Sequence, residues 1–422
     1  MNDVIEAWDR WLAPKEPIVL HEGDSYEVLR TMAACGSKVH SVVCDPPYGL
    51  TSIVKRFGAE GAASAKPGTD GTFARQSRGF MGKTWDGTAV ERDPVFWRLV
   101  YDVMLPGAYI VAFSSSRTYH HMAVAMEQAG FTTHPMIGWT FASGFPKAHN
   151  ASRAVDQAGG EGSEWEGWHY GGQARKPALE PIYVGQKPFS EKNGALNILK
   201  HGVGAVNIDG CRVPMNGEVV RTIQGQSGRQ QTGEMYSGAD QRDQKPFESH
   251  ANGRWPANLI HDGSPEVVAL FPNSKGQLAD ASTNPDRRAN QNVYGEMRSA
   301  GTGKARGDDG SAARFFECYP FEDRPIFHYP KASKKDRAGS RHPTVKPIAL
   351  MRALIRHVTP PGGVVLDPFA GSGTTGQAAR EEGMNAVLIE REAEYAADIR
   401  RRLGLADVLK PESAPAVEDL LS

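Results

Sequence analysis

Apolar positions crowd the two ends of the chain and thin out in its middle. Pro17 to His21 (PIVLH) and Val39 to Cys44 (VHSVVC) are short apolar runs, the second rich in β-branched residues. That is the pattern of strands buried on both faces of a parallel sheet. Between them a Gly23-Asp24-Ser25 turn leads into a helix from Tyr26 to Ala34. Pro46 and Pro47 end the second strand, because consecutive prolines cannot continue a ladder. Asp93-Pro94 opens a helix reaching about Met104, followed by a strand from Ala108 to Phe113. A helix from Ser116 stops at Gly130; Phe131 to Phe141 holds one or two strands, and Pro181 to Val184 another.

The C-terminal part alternates helix and strand more clearly. Pro347 to Val358 places Ile348, Met351, Ile355 and Val358 on one helical face. Gly363 to Asp367 is a strand, and a Gly-rich turn and a helix ending at Gly383 follow it. Asn385 to Glu390 is a strand ending in an acid, and Glu392 to Leu403 is a helix. Residues 49–92 are Gly-rich and weakly periodic. Residues from about 190 to 325 are polar, with Trp255, Leu259, Ile260, Phe271, Phe315 and Phe316 as material for a small core. The expected division is 1–190 and 326–405 as two parts of one α/β domain, 191–325 as an irregular insert, and 406–422 as a tail.

Composition narrows the function. The formal net charge of the 422-residue chain is −1, which excludes a polybasic nucleic-acid coat but not a local basic patch. Arg324 to Lys346 is such a patch: Arg324, Lys331, Lys334, Lys335, Arg337, Arg341 and Lys346 stand against Asp336 alone. None of the four cysteines lies within four residues of another, so a cysteine zinc site is not expected and a reduced, cytoplasmic setting is. No metal is expected. No apolar run approaches a membrane span, and the first residues, MNDVIEAWDRW, lack the apolar core of a secretory signal.

Two motifs carry chemistry. Strand, Gly-rich turn, helix and acid-tipped strand from 363 to 390 form the recipe for holding a nucleoside, with Gly371 and Gly373 letting the backbone approach it and Glu390 able to accept ribose hydroxyls. Asp367-Pro368-Phe369 intervenes before the glycines, unlike the dinucleotide pattern G-x-G-x-x-G. An acid at the strand tip suits a ligand carrying an amine or sulfonium better than a pyrophosphate. The second motif is Asp45-Pro46-Pro47-Tyr48, at the carboxyl edge of a buried strand. The Asp45 carboxylate and the Pro46 carbonyl are acceptors for the two hydrogens of one amino group, and Tyr48 offers a flat face to a base.

Together Asp45-Pro46-Pro47-Tyr48 and Asp367-Pro368-Phe369-Ala370-Gly371-Ser372-Gly373-Thr374-Thr375 resemble the amino-group DNA methyltransferases that use S-adenosylmethionine. His342-Pro343-Thr344-Val345-Lys346-Pro347 resembles that family's third signature. The order, catalytic motif first and cofactor motif last, is similar to its β class. Gly253-Arg254-Trp255-Pro256-Ala257-Asn258 and Lys83-Thr84-Trp85-Asp86 look like phage or prophage members. The resemblance implies a Rossmann-like α/β methyltransferase sheet with helices on both faces, a circularly permuted motif order and an inserted target-recognition domain.

It further implies that Asp45 and the Pro46 carbonyl bind the target amine, Pro47 completes the motif, and Tyr48 stacks on a flipped base. Phe369, Gly371 and Gly373 would line the methionine end of S-adenosylmethionine, with Asp367, Pro368, Ser372 and Thr374 completing that motif. Glu390 would hold the ribose, Asp24 would meet the adenine side, and Thr344 and Lys346 would border the methionine tail. Lys331, Lys334, Lys335, Arg337 and Arg341 would contact phosphates of double-stranded DNA. The implied protein is a homodimer, associated with the nucleoid. Adenine N6 is the expected target and cytosine N4 the alternative, with RNA less favoured because the motif order is reversed. A nicotinamide oxidoreductase leaves Asp45 to Tyr48 unexplained.

Overall fold

The computed structural model describes residues 17–48, 89–142, 144, 146–213, 222–223, 247–248, 253–273, 310–318, 337–340 and 345–405. Its centre is a nine-stranded sheet. In chain order the strands are β1 (Ile18–Glu22), β2 (Val39–Cys44), β3 (Met104–Phe113), β4 (Thr132–Thr140), β5 (Leu179–Gln186), β6 (Leu259–His261), β7 (Glu317–Cys318), β8 (Val364–Asp367) and β9 (Asn385–Glu390). Their spatial order is β1-β9-β8-β2-β3-β5-β4-β6-β7. Neighbours are parallel except β5, which runs antiparallel to both β3 and β4.

Helices cover both faces. On one, α1 (Ser25–Ala34), α2 (Pro94–Asp102) and α3 (Tyr119–Ala129) bury Leu29, Phe96, Trp97, Val100, Met122 and Met126. On the other, α4 (Ile348–Val358), α5 (Thr374–Glu381) and α6 (Ala393–Leu403) bury Met351, Leu354, Ile355, Ala378 and Ile399. Caps explain several boundaries. Asp24 and Asp93 accept from Tyr26 N and Val95 N, satisfying orphan amides of α1 and α2. Gly130 ends α3 at φ 107°, a conformation that costs any other L-residue steric strain.

The two ends of the chain meet between β8 and β2. Val365 pairs with Ser41 and Leu366 with Val42. The seam is reinforced by the Nδ1 of His40, which accepts the Val364 N–H at 2.9 Å. Burial pushes the His40 imidazole down to about 4, so it stays a neutral acceptor at neutral pH. From β2 the chain builds outward through β3; from β8 it builds the opposite way through β9. The crevice outside the carboxyl ends of β8 and β2 is therefore the topological switch point, where open α/β sheets bind ligands.

The elements read from the sequence are present, with differences at short or irregular pieces. Strand β3 starts at Met104 rather than Ala108, and α3 at Tyr119 rather than Ser116. A hairpin, Lys147–Asn150 with His169–Gln173, and a helix Gly194–His201 were not anticipated. The hairpin strand HYGGQ has neither alternation nor an apolar run to announce it. In the middle segment β6 pairs parallel with β4 and β7 parallel with β6, extending the main sheet, so Ile260 joins the core on the α4 face. Three-residue and two-residue strands are too short to show a period. Phe271 and Phe316 do pack, with ring centroids 5.2 Å apart, whereas Trp255 is 65% exposed and belongs to no core.

Candidate active site

Four charged residues at this sheet edge are each followed by a proline: Asp45-Pro46, Glu180-Pro181, Lys346-Pro347 and Asp367-Pro368. A residue before proline is driven to extended backbone, which keeps it out of a helical turn. Asp45 follows β2 and Asp367 ends β8, its neighbour. Glu180 reaches the same edge because β5 is antiparallel, so its first residues lie where its neighbours finish. Lys346 directly precedes Pro347, the N-cap of α4.

These groups form one network. The Lys346 ammonium lies 2.8 Å from Asp45 Oδ2 and 3.4 Å from Glu180 Oε2, and donates to Tyr48 OH at 2.9 Å. The Tyr48 hydroxyl in turn donates to Asp45 Oδ1 at 2.9 Å. Burial, and then the Asp45 charge, push the Tyr48 phenol well above its ordinary range, so it keeps its proton and remains a donor. Lys346 is 5% exposed, with its ammonium also 4.7 Å from the Phe113 ring centroid. Sequence reasoning placed Lys346 with the methionine tail of the cofactor; the structure sets its ammonium on the catalytic motif. Glu180 was not anticipated. Its signal was available as a charged residue and a proline opening an otherwise apolar strand, the same signature as Asp45-Pro46.

The adjoining half is the glycine turn. Asp367 accepts from Phe369 N at 2.9 Å and from the Thr375 hydroxyl, closing the turn onto the first residues of α5. Gly373 sits at φ 80° as the N-cap of α5, and a Cβ there would meet Ile399 Cγ1 at 3.1 Å. Ser372 and Thr374 are buried in the turn. The Pro368 carbonyl accepts from Ser25 Oγ at 2.6 Å, which ties the turn to α1. The Phe369 ring packs on Phe96 and Trp97, with centroids 5.1 and 6.4 Å away. Glu390 ends β9, and its two oxygens accept from Gly371 N and Glu392 N, each at 2.8 Å. Asp24 stands nearby as the α1 cap, with one oxygen committed to Tyr26 N.

Glu390, Asp367, Asp45 and Glu180 thus line the crevice in the order of their strands, answered by Lys346 at the Asp45–Glu180 end. Burial pushes the Asp367 and Glu390 carboxyls up to about 7, and for Asp367 the charges of Asp45 and Glu390 add to the effect. A crevice walled by acids disfavours phosphate and favours a cationic ligand, whose charge would draw both carboxyls back to the ionised form.

A model of the DNA methylase family N6_N4_Mtase matches residues 39–401, nearly the whole of the sheet and both motifs. The chain belongs to this DNA methylase family. Among its curated relatives, the Type II methyltransferase M.HindIII of Haemophilus influenzae is 26% identical over 189 residues, 40% of this chain and 59% of that protein. The DNA adenine methyltransferase YhdJ of Escherichia coli is 37% identical over 93 residues, 22% of this chain and 32% of that protein. The chain therefore spans less than two thirds of the length of either relative. Among solved structures, the M1.HpyAVI–SAM complex is 15% identical with a TM-score of 0.41, covering 92% of this chain and 100% of that one. The PvuII DNA methyltransferase (cytosine-N4-specific) is 14% identical with a TM-score of 0.40, covering 93% and 89%.

The fold brings Asp45, Pro46, Pro47, Tyr48 and Lys346 into one half of the crevice and Asp367 to Thr374 with Glu390 into the other. Arg337 is half-buried, its carbonyl accepting from Ser340 N at 2.8 Å. Lys331, Lys334, Lys335, Arg341 and Thr344 lie outside the described residues, as do Lys83 to Asp86 and residues 49–88 of the Gly-rich stretch. Among the described residues no His, Cys, Asp or Glu group is arranged to hold a metal, and no helix is long and apolar enough to cross a membrane.

Proposed function

We propose that this methylase transfers a methyl group from S-adenosylmethionine to the exocyclic N6 of an adenine turned out of duplex DNA. The observation that carries this is the shared crevice. An amine-accepting Asp45 and a nucleoside-type glycine turn ending at Glu390 open side by side at the switch point. The residues fit S-adenosylmethionine by their chemistry. Glu390 keeps lone pairs beyond those used by Gly371 and Glu392 for ribose hydroxyls, and the acid wall suits a ligand with two cationic centres. When bound, that cofactor supplies a methyl on a sulfonium, already electrophilic without metal or covalent help. The protein's part is placement: Asp45 and the Pro46 carbonyl take the amine hydrogens and aim the nitrogen lone pair, while Tyr48 stacks on the base. Alignment of this kind is worth up to about 7–11 kcal/mol, and extruding the base costs a few kcal/mol.

Adenine is favoured by Asp45 at the head of the motif and by the adenine activity in the name of YhdJ. Mass spectrometry of DNA methylated by the purified protein should show N6-methyladenine; N4-methylcytosine as the new nucleoside would overturn the choice of base. Modification-sensitive sequencing of the same DNA gives the target sequence. On this reading residues 191–325 select that sequence, the basic stretch around Lys331 to Arg341 neutralises phosphates, and the enzyme acts as a cytoplasmic, nucleoid-associated homodimer. Replacing both Lys334 and Lys335 with alanine should weaken binding to all DNA sequences alike and lower the log–log salt slope by about 0.9 per lost contact. A slope equal to the parent's removes these lysines from the interface.

Cofactor affinity should depend on pH through Glu390 and Asp367. Both carboxyls are raised to about 7 in the folded protein, and ligand binding favours their ionised forms. Affinity is therefore full above pH 7 and falls as pH drops, by about tenfold per unit for each proton that must leave. Calorimetry between about pH 5.5 and 8.5 measures this. A flat profile would mean that neither acid meets the ligand's charge.

A further inference from the structure

We propose that Lys346 is a specificity-determining residue: its ammonium donates to the ring nitrogen beside the target amine, so that Asp45 and Lys346 together read the amino–imine edge of the extruded base. The inference rests on the methylase reading above and names what that reading leaves open, how the site tells an amino base from a keto base.

The geometry points there because a buried donor and a partly buried acceptor stand side by side. Lys346 Nζ is 2.8 Å from Asp45 Oδ2, and Asp45 is the acceptor for the target amine. Adenine presents an N6–H donor next to the N1 acceptor, and cytosine an N4–H donor next to N3. Guanine and thymine present the reverse, a carbonyl oxygen next to a ring N–H. An acceptor–donor pair therefore matches the first two and opposes both groups of the second two. An unmatched polar edge in a buried site costs more than a missing contact, because each group is left desolvated and unpaired.

The ammonium is equipped for this exchange. It donates to Tyr48 OH and is ion-paired with Asp45 at 2.8 Å and with Glu180 at 3.4 Å. When an amine N–H takes the Asp45 oxygen, the N–H that Lys346 gave to Asp45 is freed and turns to the neighbouring ring nitrogen. Glu180, 3.4 Å away and 4% exposed, stays as counter-charge, so the ammonium is not stranded while Asp45 is occupied. Glu180 is thus a positioning residue. The extended backbone imposed by Pro347, and the packing of α4 on β2 and β3, hold the lysine at this spot.

The test uses the full-length protein and a duplex carrying the site found by sequencing. The target adenine is replaced by 1-deazaadenine, which lacks N1, or by 7-deazaadenine, which keeps it. Single-turnover rate at subsaturating DNA should fall about ten- to a hundredfold with 1-deazaadenine, the scale of a charge-assisted hydrogen bond, and stay near the parent value with 7-deazaadenine. Loss of N1 also weakens the base pair and eases extrusion, so a rate penalty is not a flipping artefact. Lys346→Met, alone and with Glu180→Gln to remove the orphaned charge, should be slower overall yet show no difference between adenine and 1-deazaadenine. Cofactor calorimetry confirms that the variants fold; if neither does, the two analogues on the parent decide the matter. No 1-deaza penalty in the parent, or an equal penalty in parent and variants, overturns the proposal. A parent that methylates no DNA sinks the methylase reading instead. Cytosine as the methylated base moves the same test to 3-deazacytosine.

Discussion

Asp45→Ala is expected to abolish methyl transfer while leaving cofactor affinity close to the parent's. Asp45 lies on the far side of Asp367 from Glu390, and its partners are Lys346 and Tyr48, not the glycine turn. On the proposed reading, removing it takes away the acceptor for the target amine and leaves the Lys346 ammonium drawn toward Glu180. Alignment should be lost with it, and alignment can be worth up to about 7–11 kcal/mol of the barrier. Single-turnover methylation and calorimetry on the same preparation measure the two effects separately. Normal turnover in this variant would mean that the amine is held elsewhere.

Glu390→Ala should do the opposite at its first step, raising the cofactor dissociation constant. A hydrogen bond to a charged group is worth roughly 1.5–3 kcal/mol, which corresponds to about ten- to over a hundredfold. The structure adds a second cost. Glu390 accepts the N–H groups of Gly371 and Glu392, so alanine also leaves two backbone donors of the turn without their acceptor. Glu390→Gln keeps an acceptor for one of them and should lose less. Saturating cofactor should restore much of the rate in Glu390→Ala and none in Asp45→Ala. Parent-like cofactor binding by Glu390→Ala would separate this acid from the nucleoside.

Both motifs were legible because each is local. Asp45 to Tyr48 and Asp367 to Thr375 are contiguous, and each follows an apolar run whose end fixes it at a strand tip. Glu390 was legible for the same reason, as the acid closing β9. The helices of both faces could be read wherever a full turn or more repeated its apolar positions, as Ile348, Met351, Ile355 and Val358 do in α4. The Lys147–Asn150 hairpin strand and the two short strands β6 and β7 could not, since two to four residues carry no period.

By itself the sequence determined the α/β alternation at the two ends, the two chemical motifs and the acid-tipped strands, because propensity, proline and apolar period act over neighbouring residues. The tertiary structure alone decided what those pieces do to one another. Lys346 and Tyr48 are 298 residues apart in the chain yet hydrogen-bonded, and neither carries a local sign of the other. That meeting depends on β8 pairing with β2, which joins the two ends of the chain, and on α4 packing over β2 and β3. Glu180 enters only because β5 runs against its neighbours and so begins where they finish. Strand direction and order are global properties, set by which buried surfaces fit together rather than by any short stretch of residues. The charge network at the site is therefore a product of packing: Asp45, Tyr48 and Lys346 could be read singly, but their contacts, and Glu180 among them, became visible only when the sheet was assembled.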